Sequence, residues 1–166
     1  MAIERAATTD HSIQLVVFRL GQEEYGVPIN FVKEIIRKPE ITHLPNAPEF
    51  VLGVINLRGQ ILPILSLHER FRISGAVEGE TKVVIVDYGG LTVGMEVNEV
   101  SEVLTLPGDR ISPAPPMATT IDSGFIMGVG KLQDRLLIIL DVERILSDEE
   151  AMLLSNRTQA EQAIEA

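Results

Sequence analysis

The sequence predicts a mainly β protein: two small five-stranded barrels from an internal duplication, followed by one C-terminal helix. Three observations carry this. The chain repeats itself at a nearly constant offset. Its apolar residues are mostly Val, Ile and Leu, with five Phe, two Tyr and no Trp, a composition that suits strands. Its last two apolar runs in the first copy, "FVLGVINL" and "QILPILSL", are joined by only Arg58 and Gly59, the commonest length for a β-hairpin loop.

The repeat comes first, because it sets the organisation. "LVVFRLGQEEYGVPINFVKEIIR" from Leu15 lies over "VVIVDYGGLTVGMEVNEVSEVLT" from Val83 at an offset of 68, matching Gly21 with Gly89, Asn30 with Asn98 and Glu34 with Glu102. "FVLGVINLRGQILPILSLHERF" from Phe50 lies over "FIMGVGKLQDRLLIILDVERIL" from Phe125 at an offset of 75, matching Gly53 with Gly128 and Leu57 with Leu132. The second copy is therefore seven residues longer, in the Pro-rich "RISPAPPMATTIDSG" between Arg110 and Gly124. Residues 12–150 read as one domain of two barrel subdomains, about 12–75 and 80–146, with 147–166 as helix and tail. A unit of that size buries only about 60% of its unfolded surface, so the two are expected to pack on each other.

Within the first copy, "IQLVVFRL" alternates and stops at Gly21, and "EEYGVPI" follows after a tight turn. "FVKEIIR" reads as a helical turn running into a third strand, and the hairpin around Arg58–Gly59 supplies the last two. Five such strands close most easily into a barrel, which removes exposed edges. Pro63 cannot donate a ladder hydrogen bond and is expected at an edge or bulge. At the C-terminus, Ser147 with Glu150 three residues on forms a capping box, and Leu153, Leu154 and Ile164 are the candidate contact residues of the helix behind it.

Charge and composition narrow the function. A net charge of −10 disfavours nucleic acid and anionic membranes and suits docking on other proteins. No cysteine is present, which excludes disulfides, thiolate metal sites and a cysteine nucleophile. The polar start "MAIERAATTDHS" and the lack of an apolar run near the roughly 20 residues of a membrane span predict a cytoplasmic protein. His11, His43 and His68 lack ligand spacing. "GVGKLQ" at Gly128 lacks the first glycine and the Ser or Thr of a phosphate loop. No motif pairs an acid with a base, so no catalytic constellation, metal or cofactor is predicted.

The remaining feature is Arg58. Its counterpart is Gln133, so the hairpin does not need an arginine for its turn. An arginine at the end of two rigid apolar strands is placed to anchor a partner.

These segments, with "TKVVIVDYGGLTVGMEVNEVSEVL" and "ISPAPP", resemble the CheW family, the coupling proteins of bacterial chemosensory arrays, from about Ser12 to Leu154. The resemblance implies two SH3-like barrels and a free-standing adapter without enzymatic activity. Its partners would be the regulatory domain of the histidine kinase CheA and the cytoplasmic tip of chemoreceptors, and it would be recruited to membrane-associated arrays without inserting. It also implies site residues. Val32, Glu34, Ile35, Gly53 and Arg58 match positions linked to receptor coupling, Val83 and Val84 match positions on the same groove, and Gly128, Gly130, Lys131 and Leu132 match weaker candidates for kinase contact. Ser66 departs from the family's usual Asp, which the second copy keeps as Asp141; Ser66 is expected to cap the same turn more weakly. A small-molecule sensor using a barrel mouth is the alternative, and it would need a polar pocket among these aliphatic strands.

Overall fold

The computed structural model describes residues 12–73, 79–113 and 121–165. Its strands are β1 (Ser12–Leu20), β2 (Glu23–Pro28), β3 (Val32–Arg37), β4 (Val51–Leu57), β5 (Gln60–Ser66), β6 (Lys82–Tyr88), β7 (Leu91–Val97), β8 (Glu99–Pro107), β9 (Ile111–Ser112), β10 (Ile126–Lys131) and β11 (Leu136–Leu140). Helix α1 spans Leu67–Phe71 and α2 spans Asp148–Glu165. The expected helical turn before the third strand is a 3-10 turn over Ile29–Phe31. Part of the longer connection of the second copy, residues 114–120, lies outside the described residues.

Two sheets form, in the orders β8-β1-β2-β11-β10-β9 and β3-β6-β7-β5-β4. Under the repeat, β3 corresponds to β8, β6 to β1, β7 to β2, β5 to β11 and β4 to β10. The first five strands of the first sheet therefore repeat the second sheet strand for strand. Registers agree as well: Ile35 pairs with Val84 as Val103 pairs with Val16, and Ile64 pairs with Gly94 as Ile139 pairs with Gly26. The bulge between Val51 and Gly53 recurs between Ile126 and Gly128.

The subdomain boundaries expected at about 12–75 and 80–146 do not hold. Strands β3 to β7 form one sheet, continuous in sequence from Val32 to Val97, while β1 and β2 join β8 to β11. Each copy has given its first hairpin to the other copy's sheet. The reason is physical. Exchanging equivalent hairpins preserves every strand pair, so the hydrophobic pattern is the same with or without the exchange. Two sheets of six and five strands with a C-terminal helix bear out the expected mainly β, SH3-like fold, and among the described residues neither hydrogen-bonded ladder closes on itself.

Strands β1 and β6 are apolar on both faces because each face meets a different core. Val16, Phe18 and Leu20 of β1 enter a core shared by both sheets, together with Val84, Val86, Val93 and Met95. Ile13, Leu15 and Val17 pack inside the first sheet, and Val83 and Ile85 inside the second. Mutual packing of the two copies is thus observed. At their junction the Arg70 guanidinium lies 4.5 Å from the Phe50 ring centre and 5.2 Å from that of Phe125, the residue matching Phe50 in the repeat. Arg70 Nε donates to the Ile145 carbonyl at 2.7 Å, and its two terminal nitrogens donate to Glu150 at 3.0 and 2.8 Å.

Pro63 lies inside β5, opposite Val54, not at an edge or bulge. Val54 spends its N–H and C=O on Thr42, both at 2.8 Å, so the proline is never asked for a donor there. Ser66 Oγ accepts the Glu69 N–H at 3.2 Å and caps α1, as Asp141 Oδ1 accepts the Glu143 N–H at 3.1 Å. The capping box forms: Glu150 N–H donates to Ser147 Oγ at 3.1 Å, and Ser147 N–H to Glu150 Oε1 at 2.8 Å. The contact face of α2 differs from the expected one. Leu154 is buried, but Leu153 and Ile164 are exposed, and Thr158 and Gln162 share the face that meets the sheet. Residues 154, 158 and 162 are one helical turn apart, whereas 153 and 164 project elsewhere.

Candidate functional site

Arg58 and Glu34 come together across the open side of the second sheet. β3 is one edge of that sheet and β4 the other, and the tip of the β4–β5 hairpin curls over to meet β3. The tip is a two-residue turn with both central residues in the left-handed region, φ 52° at Arg58 and 89° at Gly59. That conformation matches the twist of the flanking strands and suits Gly59 better than Arg58. Asn56 Oδ1 steadies it by accepting the Gly59 N–H at 2.8 Å.

From there Arg58 Nη1 donates to Glu34 Oε2 at 2.7 Å and Nη2 to Oε1 at 2.8 Å. Two parallel bonds fix the guanidinium plane as a single bond would not. The hydrogen bonds from Arg58, and then its charge, hold the Glu34 carboxyl below its ordinary range, while Glu34 raises Arg58 in return. Both groups are therefore ionised at neutral pH. Arg58 remains 70% exposed, and a groove of about 300 Å³ beside the pair is floored by Leu57, Leu62 and Ile85. The arrangement offers a held guanidinium, with N–H donors left over, at a groove also lined by Lys33, Gln60 and Thr92.

The other expected receptor-contact residues divide. Val32 is half-buried beside Glu34, and Ile35, on the opposite face of β3, is 39% exposed. Val83 and Val84 must be corrected: both are fully buried on β6, paired with Ile36 and Ile35 of β3, so they support β3 from beneath and present nothing to a partner. Gly53 is likewise buried, at φ 149°, and a Cβ there would stand 2.1 Å from the Thr42 carbonyl oxygen. Its absent side chain serves the close approach of Thr42 to β4. Among the expected kinase contacts, Gly128 and Gly130 are buried, Leu132 is half-buried, and Lys131 is exposed.

Two arginines escaped the sequence reading. Arg135 bonds Glu24, donates to Glu102 at 3.2 Å and to Asp134 at 2.9 Å. Glu102 matches Glu34, so the first sheet is bridged as the second is. Arg70 faces Ile145 in the repeat, and a charge where the other copy is apolar was the available signal.

A family model described as a CheW-like domain matches residues 14–150. The chain is 42% identical over 144 residues to a chemotaxis protein CheW of Klebsiella aerogenes, covering 86% of this chain and 87% of that one. It is 33% identical over 155 residues to a chemotaxis protein CheW of Treponema pallidum, covering 90% and 91%. Among solved structures it is similar to the crystal structure of the scaffolding protein TtCheW from Thermoanaerobacter tengcongensis, with a TM-score of 0.80, 35% identity, and coverage of 89% of this chain and 97% of that one.

Proposed function

The chain belongs to the CheW-like family, and from that membership we propose that it couples chemoreceptors to the histidine kinase CheA by binding each on a different surface, without chemistry of its own. It is a chemotaxis scaffold adapter. The observation that supports this reading most is the Arg58–Glu34 pair, a held and exposed cation beside a groove lined by Lys33, Gln60 and Thr92 as well as Leu57. A receptor tip is a helical hairpin. Its carboxylates and helix-end carbonyls are acceptors for the guanidinium donors that Glu34 does not use.

In this reading Arg58, Glu34, Val32 and Ile35 contact the receptor. Val83, Val84 and Gly53 hold β3 and β4 in place for them. The kinase regulatory domain binds the first sheet near Lys131 and Leu132. No helix among the described residues is long and apolar enough to cross a membrane, and recruitment to the array is by these protein contacts. The names of the relatives give no support to a small-molecule sensor.

The test is simultaneous binding. A soluble fragment of a chemoreceptor's cytoplasmic hairpin, added to saturation, should leave the affinity for the CheA regulatory domain unchanged, and both should co-elute with the chain. Displacement of one by the other would contradict the adapter mechanism.

A further inference from the structure

The end of α2 reaches the tip that carries Arg58. Gln162 Oε1 accepts the Ile61 N–H at 2.7 Å, and Gln162 Nε2 donates to the Gly59 carbonyl at 2.8 Å. A carboxamide carries a donor and an acceptor in one plane, as a peptide unit does. Gln162 therefore acts as a one-residue neighbouring strand for the start of β5, where β7 does not reach: β7 pairs with β5 only from Ile64 to Ser66. Glutamate would offer no donor to Gly59, and lysine no acceptor to Ile61.

The consequence falls on Arg58. A residue with a side chain at φ 52° persists only where its surroundings hold it. Both backbone polar groups of the next residue are held by side-chain amides, the Gly59 N–H by Asn56 and the Gly59 carbonyl by Gln162. The helix that supplies Gln162 is itself pinned, through buried Leu154 and through Arg157, whose Nη2 donates to the Pro45 carbonyl at 2.8 Å. The repeat gives a comparison inside the molecule. Ile61, under α2, is 7% exposed, whereas its counterpart Leu136 in the first sheet is 56% exposed. The helix covers the hairpin that carries Arg58.

We infer that Gln162 is a positioning residue for the receptor surface: α2 sets receptor affinity through the conformation of the Arg58–Gly59 turn, without touching the receptor. The inference rests on the reading of Arg58 as a receptor contact.

The test is a double-mutant cycle on binding to a soluble chemoreceptor hairpin fragment, with the full chain. Gln162→Ala should weaken binding about fivefold, the loss of two neutral hydrogen bonds that order the turn. Arg58→Ala should weaken it roughly thirtyfold. The double variant should bind no more weakly than Arg58→Ala alone, since Gln162 acts through Arg58. Gln162→Glu should behave as Gln162→Ala, and Gln162→Asn should recover part of the loss. Amide exchange at Ile61 should be slow in the wild type and faster in Gln162→Ala. Additive losses, or wild-type affinity in Gln162→Ala, would overturn the inference. Equal Ile61 exchange in both proteins would overturn the clamp itself. Wild-type binding by Arg58→Ala would remove the receptor reading, and the inference with it, whatever the exchange data show.

Discussion

Glu34 and Glu102 occupy the same place on the outer strands of the two sheets, and each is bonded by an arginine from the equivalent hairpin, β4–β5 or β10–β11, yet the two arginines do not match in the repeat. Arg58 corresponds to Gln133, and Arg135 corresponds to Gln60. The shared device is a glutamate on the third strand that ties down the hairpin tip across the open side of the sheet. What differs is where the cation enters. In the second sheet it stands within the turn, highly exposed. In the first it stands just past the turn, where Glu24, Glu102 and Asp134 surround it.

The pH response of the pair follows from the direction of its shift. Glu34 titrates below 4.5, the ordinary glutamate value, because Arg58 hydrogen-bonds its charged form. Its contribution is therefore complete above the unfolded value and is lost as pH falls through the lowered folded one. An NMR titration of the Glu34 side-chain carboxyl should give a midpoint below 4.5 in the wild type and a higher one in Arg58→Ala. Equal midpoints would mean that the pair does not form in solution.

The hairpin exchange makes a pairing prediction. In the full chain, backbone nuclear Overhauser effects should link Val16 with Val103 and Ile35 with Val84. Contacts of Val16 with Ile35 and of Val84 with Val103 in their place would contradict the exchanged topology.

Gly53 makes a stability prediction. A methyl group 2.1 Å from the Thr42 carbonyl cannot be accommodated without moving backbone. Gly53→Ala should cost about 3 kcal/mol and lower the melting temperature by roughly 10 °C. Any loss of receptor coupling in that variant should then follow the loss of folded protein. A variant that melts like the wild type but fails to couple would make Gly53 a contact after all.

Much of this was legible in the chain. Spacing located the strands, the repeat related them, and comparison of the copies singled out Arg58. Three things were not. The exchange was hidden because equivalent hairpins make equivalent pairs whichever copy supplies them. The burial of Val83 and Val84 was hidden because alternation along β6 is lost when both of its faces meet a core. The bridge from Arg135 to Glu102 was hidden because residue-by-residue comparison sees Gln133 opposite Arg58 and stops there, while the cation had moved two positions along the hairpin. Gln162 gave no signal, since a polar residue near the end of an exposed helix looks like solvated surface until its partners are in view.

The central claim is that Arg58, held by Glu34, transmits receptor state to the kinase through an interface and not through the fold. The measurement is receptor-stimulated CheA autophosphorylation in arrays reconstituted with wild type, Arg58→Ala or Arg58→Lys, with melting temperature as the control for folding. Arg58→Ala should melt within about 2 °C of the wild type, since an exposed ion pair adds little to stability. It should leave kinase activity near the level seen without receptor. Arg58→Lys should restore only part of the stimulation, because an ammonium lacks the planar fork that two-point bonding to Glu34 requires. Stimulation by Arg58→Ala equal to that of the wild type, in a protein that folds as the wild type does, would contradict the account.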